Sequence, residues 1–234
     1  MALCGNTVEE MIWNYLISKG LNQYGVAGLM GNLYKESGLR SNNLENTYSA
    51  RLGYSDEEYT TAVDNGTYTN FVNDRAGYGL AQWTYPSRKD NLLKYAHECS
   101  ASISDLEMQL GFLYKELSES YKAVLRVLTN ATSVLEASNA VLFDFERPAR
   151  QDTEVQNERA AAGQVYYDTF AKEVPNMAEV KKDNTPDEWA REAVNWAVKN
   201  KILFGDEHGN YKLHDNCTRQ EMLVFLKRLH DLVK

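Results

Sequence analysis

The chain has 234 residues, 43% of them hydrophobic, with 14 Gly, 4 Pro and a formal net charge of -8. That composition supports one good core plus a small second module and excludes collagen-like or low-complexity chains. The negative balance excludes a general attraction to nucleic acid. Cys4, Cys99 and Cys217 are far apart, odd in number and without metal-ligand spacing, so free thiols and no metal or cofactor are expected.

Helix signals run in order along the first ~170 residues. Thr7-Val8-Glu9-Glu10 reads as a capping box, with Gly20 as the stop. A second helix is expected from about Gln23 to Ser37, capped by Gly38. Residues 39–54 are polar and Asn/Tyr-rich and read as loop. Ser55-Asp56-Glu57-Glu58 opens another helix. "DRAGYGLAQW", residues 74–83, reads as extended or turning backbone. Further helices open at Ser87 through Asp90, at Ser104 through Glu107 and near Thr132. Pro148 marks a boundary, and a last helix covers roughly Asp152 to Phe170. Residues 172–184 are polar and Pro-bracketed and read as a linker.

A compact unit is expected over 185–234. Thr185-Pro186-Asp187-Glu188 and Thr218-Arg219-Gln220-Glu221 are both written as capping boxes, with a turn at "FGDEHGN" between them. Fifty residues are few for a lone stable domain. Trp196, Leu203, Phe204, Leu223, Phe225 and Leu226 exceed what two helices and a turn can enclose, so docking or self-association is expected.

In "GLMGNLYKESGLRSNN" the apolar face runs through Val26, Leu29, Met30 and Leu33, and the next position on it is Glu36. A carboxylate in the last helical turn is disfavoured by the macrodipole and by partial burial. Both effects favour a protonated Glu, the form a general acid needs. Alternatively, Glu36 swings to solvent or pairs with Lys35, Arg40 or Arg51. Gly28 and Gly31 on the same helix suggest close backbone packing against a neighbour.

"YKESGL" resembles the Glu-Ser motif closing the catalytic helix of goose-type lysozymes and lytic transglycosylases, and "GYGLAQW" resembles their Gly-Leu-Met-Gln motif. "YGLAQWTYPSRKDNL" and "VLFDFERPA" are closer still to the phage tail lysozyme family. The resemblance covers about residues 5–170. It implies a mainly α, lysozyme-like catalytic domain, here 1–171, acting on peptidoglycan between N-acetylmuramic acid and N-acetylglucosamine, with Glu36 as general acid. It also implies sugar-binding roles for Gly79, Gln82 (bonded to sugar or to Glu36) and Trp83, with Tyr48 and Tyr78 as cleft aromatics. Arg88 is a candidate anchor for a lactyl or peptide carboxylate, and Glu146 with Arg147 reads as a structural ion pair.

A muramidase that uses water needs a second carboxylate. Glu45, Asp56, Glu57 and Asp74 are candidates, and Asp74 is the best placed in sequence. Without one, a lytic transglycosylase follows, in which a sugar hydroxyl replaces water. An N-acetylglucosaminidase and an inactive wall-binding protein are the remaining alternatives.

Residues 185–234 resemble a single S-layer homology repeat, a small α-helical module, through Trp189, Ala193-Val194, Gly205-Asp206 and Thr218 to Glu221. The resemblance implies binding of a secondary cell-wall polymer through Trp189, Gly205, Asp206 and Arg219, Arg219 being a fork donor for carboxylates. Such repeats usually come in threes. The N-terminal "MALCGNTVEE" has no basic or apolar leader pattern, and no apolar run approaches the ~20 residues that span a bilayer. The expectation is therefore a phage or prophage endolysin of Gram-positive hosts, made in the cytoplasm and acting on the wall after release. No membrane insertion is expected, and a homo-oligomer is a candidate state.

Overall fold

The structure is a computed structural model that describes residues 3–171, 183–205, 209–215 and 217–232. The chain divides into two compact units, Met1–Lys172 and Glu173–Lys234. Most of the expected linker, 172–182, lies outside the described residues. Among the described residues there is no named strand, and no helix is long and apolar enough to cross a membrane.

The first unit is built around one helix. Thr7 caps α1 (Val8–Ser18), its side chain accepting from the Glu10 amide. Asn22 caps α2 (Gln23–Ser37), and Gly38 closes it in the left-handed conformation at φ 64°. Ten of the fifteen α2 residues are buried, so α2 is the core rather than its cover. Its glycines explain how neighbours approach so closely. A Cβ on Gly28 would stand 2.6 Å from the Ser138 nitrogen of α8 (Val134–Val141), and one on Gly31 would stand 2.4 Å from the Arg159 carbonyl of α9 (Thr153–Phe170). Both helices pack extensively on α2.

The segment after α2 departs from expectation. Residues 39–54 hold a short helix, α3 (Asn46–Leu52), closed by Gly53 at φ 75°. Its starting residue, Glu45, makes no side-chain cap and none of its residues is buried, so neither capping nor periodicity announced it. The Ser55 capping box opens α4 (Asp56–Asp64) as expected. Residues 74–83 turn back on themselves through isolated antiparallel bridges joining Leu44, Tyr78 and Trp83. Then follow α5 (Pro86–Glu98), α6 (Leu106–Glu119) and α7 (Lys122–Asn130), the last with no side-chain cap. A π turn, Leu142–Glu146, prolongs α8 and stops at Arg147, which is left-handed at φ 52°.

The second unit contains α10 (Arg191–Lys199) and α11 (Arg219–Leu232). The Thr218–Glu221 box forms, with reciprocal bonds of 3.2 and 2.8 Å. The Thr185–Glu188 box does not open a helix directly. Asp187 precedes a single 3-10 turn, Glu188–Ala190, without a side-chain cap. Instead Asp183 grips His214 through its amide and ring, each at 2.6 Å, tying the start of the unit to its central loop.

Candidate active site

Glu36 lies one residue from the end of α2, and its side chain is 21% exposed. The partner that holds it is none of the cations close in sequence. Arg159 of α9 donates to Glu36 Oε1 at 2.5 Å, while Lys35 reaches Glu158, Arg40 reaches Asp56 and Arg51 lies over Tyr48. Arg159 is itself positioned by the buried Asn32, whose Oδ1 accepts its second nitrogen at 3.1 Å. The Asn32 amide in turn donates to the Ser138 hydroxyl and to the Gly28 carbonyl. A polar relay from α8 through α2 to α9 therefore fixes one carboxylate oxygen of Glu36, the kind of supporting shell that holds a reactive group in one orientation.

Glu36 borders a cavity of about 330 Å³ lined also by Glu45, Gln82, Tyr85, Arg88 and Glu146. Glu45 stands at the start of α3. Both of its oxygens are acceptors, from the Gly77 amide at 3.0 Å and the Thr47 hydroxyl at 2.7 Å. Arg88 makes two bonds of 2.7 Å to Glu116 of α6 and packs over the Phe145 ring, so it is an anchored cavity wall.

Several expected roles are not what the geometry provides. Asp74 does not line the Glu36 cavity. It is shielded from solvent and fully engaged, by Lys89 Nζ at 2.6 Å, the Tyr59 hydroxyl at 2.5 Å, the Tyr68 hydroxyl at 3.2 Å and the Ala76 amide at 2.9 Å. Asp56 is occupied by Arg40 and the Leu44 amide, and Glu57 by Asn42. Of the four candidates, only Glu45 shares a cavity with Glu36.

Trp83 is no sugar platform. It is wholly buried against Phe112, and its indole nitrogen donates to Glu116 at 2.7 Å. Tyr78 is likewise buried, bonded to Thr60. Gly79 is buried too, at φ 75°, and a Cβ there would meet the Gln109 amide at 2.6 Å, so its backbone faces protein. Gln82 reaches the cavity, but its amide nitrogen donates to the Asn43 and Gly79 carbonyls, not to Glu36. Its φ of 44° marks the bend it braces. Tyr48 lines a separate hollow with Asp74 and Arg51. Glu146 makes no ion pair with Arg147, which is exposed and in the left-handed conformation.

Tyr85, two residues beyond Trp83, was missed. It is 70% exposed on the cavity wall, immediately before Pro86, which fixes the start of α5. A flat, wet aromatic of this kind can stack on a pyranose. Tyr85→Ala is expected to raise KM for soluble glycan fragments several-fold with little change in Tm. Trp83→Ala should instead lower Tm, because it removes a core ring. Steady-state kinetics beside thermal melts distinguish the two.

In the second unit, Gly205 borders a cavity of about 500 Å³ with Phe204, Tyr211, Lys212, Thr218 and Glu221. Trp189 is 87% exposed and Arg219 is exposed, but neither lines that cavity. Asp206 lies outside the described residues.

A buried arginine holds a helix-end glutamate at a cavity that also carries Glu45 and Glu146, within a mainly α-helical unit. Residues 7–170 match the phage tail lysozyme family, and the chain belongs to it. Residues 182–223 match the S-layer homology domain. No curated protein matches the chain. The two matches describe a lysozyme-like protein acting on peptidoglycan, joined to a cell-wall-binding module.

Proposed function

We propose that this chain is an N-acetylmuramidase endolysin of a phage or prophage infecting Gram-positive bacteria, with Glu36 as general acid and Glu45 as the second carboxylate. The observation that carries the reading is the presence of Glu36 and Glu45 in one cavity, each held by its own hydrogen bonds. Glu36 protonates the glycosidic oxygen as the anomeric C–O bond breaks. Glu45 activates water or stabilises the positive charge developing on the sugar. Arg159 stabilises the Glu36 carboxylate left behind. Tyr85 supports the sugar ring. The second unit holds the enzyme on the wall through a secondary cell-wall polymer, after synthesis in the host cytoplasm and release to the wall.

Glu45 favours hydrolysis over lytic transglycosylation, since a sugar hydroxyl acting as nucleophile needs no second acid. Glu45→Gln should therefore slow wall hydrolysis by about 10²-fold. An E45Q enzyme as fast as wild type would reject Glu45 and favour transglycosylation.

Self-association belongs to the same reading. Trp196, Phe204, Leu223 and Leu226 are all exposed, and copies from other chains would cover them and raise avidity for a repetitive polymer. Light scattering on the full chain should show a mass that rises with concentration, and a strictly monomeric chain would remove this part of the proposal.

A further inference from the structure

Glu146 is the acid in the Glu36 cavity that neither the general-acid step nor the second-carboxylate role uses. It ends the only π turn among the described residues, a local widening of the helix often found at functional sites. Its Oε1 is sealed from solvent with no hydrogen-bond partner among the described residues. The nearby guanidiniums are committed elsewhere, Arg88 to Glu116 by two bonds and Arg159 to Glu36 and Asn32.

The charged groups around Glu146 are Glu36 from α2, Arg88 from α5, Glu116 from α6 and Arg159 from α9, while Glu45 lines the same cavity and is held by the Gly77 amide and the Thr47 hydroxyl. Glu36, Glu116 and Glu146 make three carboxyls against the two guanidiniums. A buried surplus charge is costly, so the cluster is neutral only when it carries one extra proton. Glu116 and Glu36 each have an arginine in hydrogen-bond contact. Glu146 has none, so the proton belongs there.

We propose that Glu146 is a proton-holding positioning residue for Glu36. Resting on the reading of Glu36 as general acid, it stores the cluster's extra proton and hands it to Glu36 for each cleavage. In the forward step the proton of Glu146 passes to the Glu36 carboxylate, which gives it to the leaving oxygen as that oxygen keeps the electron pair of the broken C–O bond. Water adds to the anomeric carbon and loses a proton to Glu45. Glu146 then regains a proton from solvent through the cavity, and Glu45 releases its own. No co-reactant beyond water is needed. Burial first, and the Glu36 charge second, push the Glu146 carboxyl up to about 8, against the opposing fields of Arg88 and Arg159. Glu146 therefore holds its proton across the neutral range.

The test has two arms. In the first, kcat of the full chain on purified peptidoglycan is followed against pH for wild type, E146Q and E146D. E146Q should lose about tenfold at neutral pH, with its alkaline limb shifted to lower pH by about one unit, a tenfold coupling being one unit. E146D should recover part of both. Superimposable wild-type and E146Q profiles would overturn the proposal. The second arm needs no activity. Carboxyl 13C NMR of the full chain should show Glu146 titrating at lower pH in E36Q than in wild type, because the Glu36 charge is gone. An unchanged Glu146 titration overturns the pairing. An E36Q enzyme that still cleaves would remove the general acid itself and this role with it. An inactive E36Q with uncoupled titrations removes only the role of Glu146.

Discussion

Glu36→Gln should leave no more than about 1% of lytic activity, because a positioned general acid is worth about 10²–10⁴-fold. The amide keeps the shape of the side chain but cannot give a proton to the leaving oxygen. Gln Oε1 can still accept from Arg159, now as a neutral acceptor in place of a charged one. The fold should survive, because the Asn32–Ser138 part of the relay is untouched and the cavity still hydrates the outer face of residue 36. Turbidity clearing and thermal melts of E36Q beside wild type make the comparison. Near-normal clearing by a folded E36Q protein would reject Glu36.

Lys89→Met should produce the largest loss of stability. The Lys89 side chain is 0% exposed and Asp74 1%. Burial pushes the Lys89 ammonium down, and Asp74 opposes that shift. The ammonium is held by Asp74, the Ala76 carbonyl and the Phe71 ring. Truncating one partner leaves a buried charge uncompensated, which costs about 3–5 kcal/mol. That is a large part of the 5–15 kcal/mol typical of a domain. The segment this pair anchors leads to Gln82 on the cavity wall, so activity should fall with stability. Urea denaturation of the full chain measures the loss. Adding Asp74→Leu should restore much of it, because a well-packed apolar pair avoids the desolvation cost. A double variant no better than the single would reject the ion-pair account.

What was legible in the sequence was local. Gly38 bounds α2 through contacts within a few residues, and Gly28 and Gly31 signal close packing because a missing side chain is visible in any sequence. What was illegible lies between distant segments. Arg159 meets Glu36 from 123 residues away, and nothing near either residue encodes that meeting. Asp74 reads as the best-placed second carboxylate next to the Gly-rich segment, and the cation that claims it, Lys89, lies 15 residues on. Trp83 seemed a sugar platform because its acceptor, Glu116, sits 33 residues away on another helix. With that bond made, Trp83 turns inward and exposure passes to Tyr85, two residues on. The box at Thr185 shows the converse error, a correct local pattern overridden when Asp183 is drawn to His214.

Mass spectrometry of the glycan ends released from purified peptidoglycan tests the central claim most directly. The account predicts new reducing N-acetylmuramic acid ends, absent with E36Q, and no 1,6-anhydromuramic acid. Reducing N-acetylglucosamine ends, anhydro ends, or cleavage confined to the peptides would contradict it.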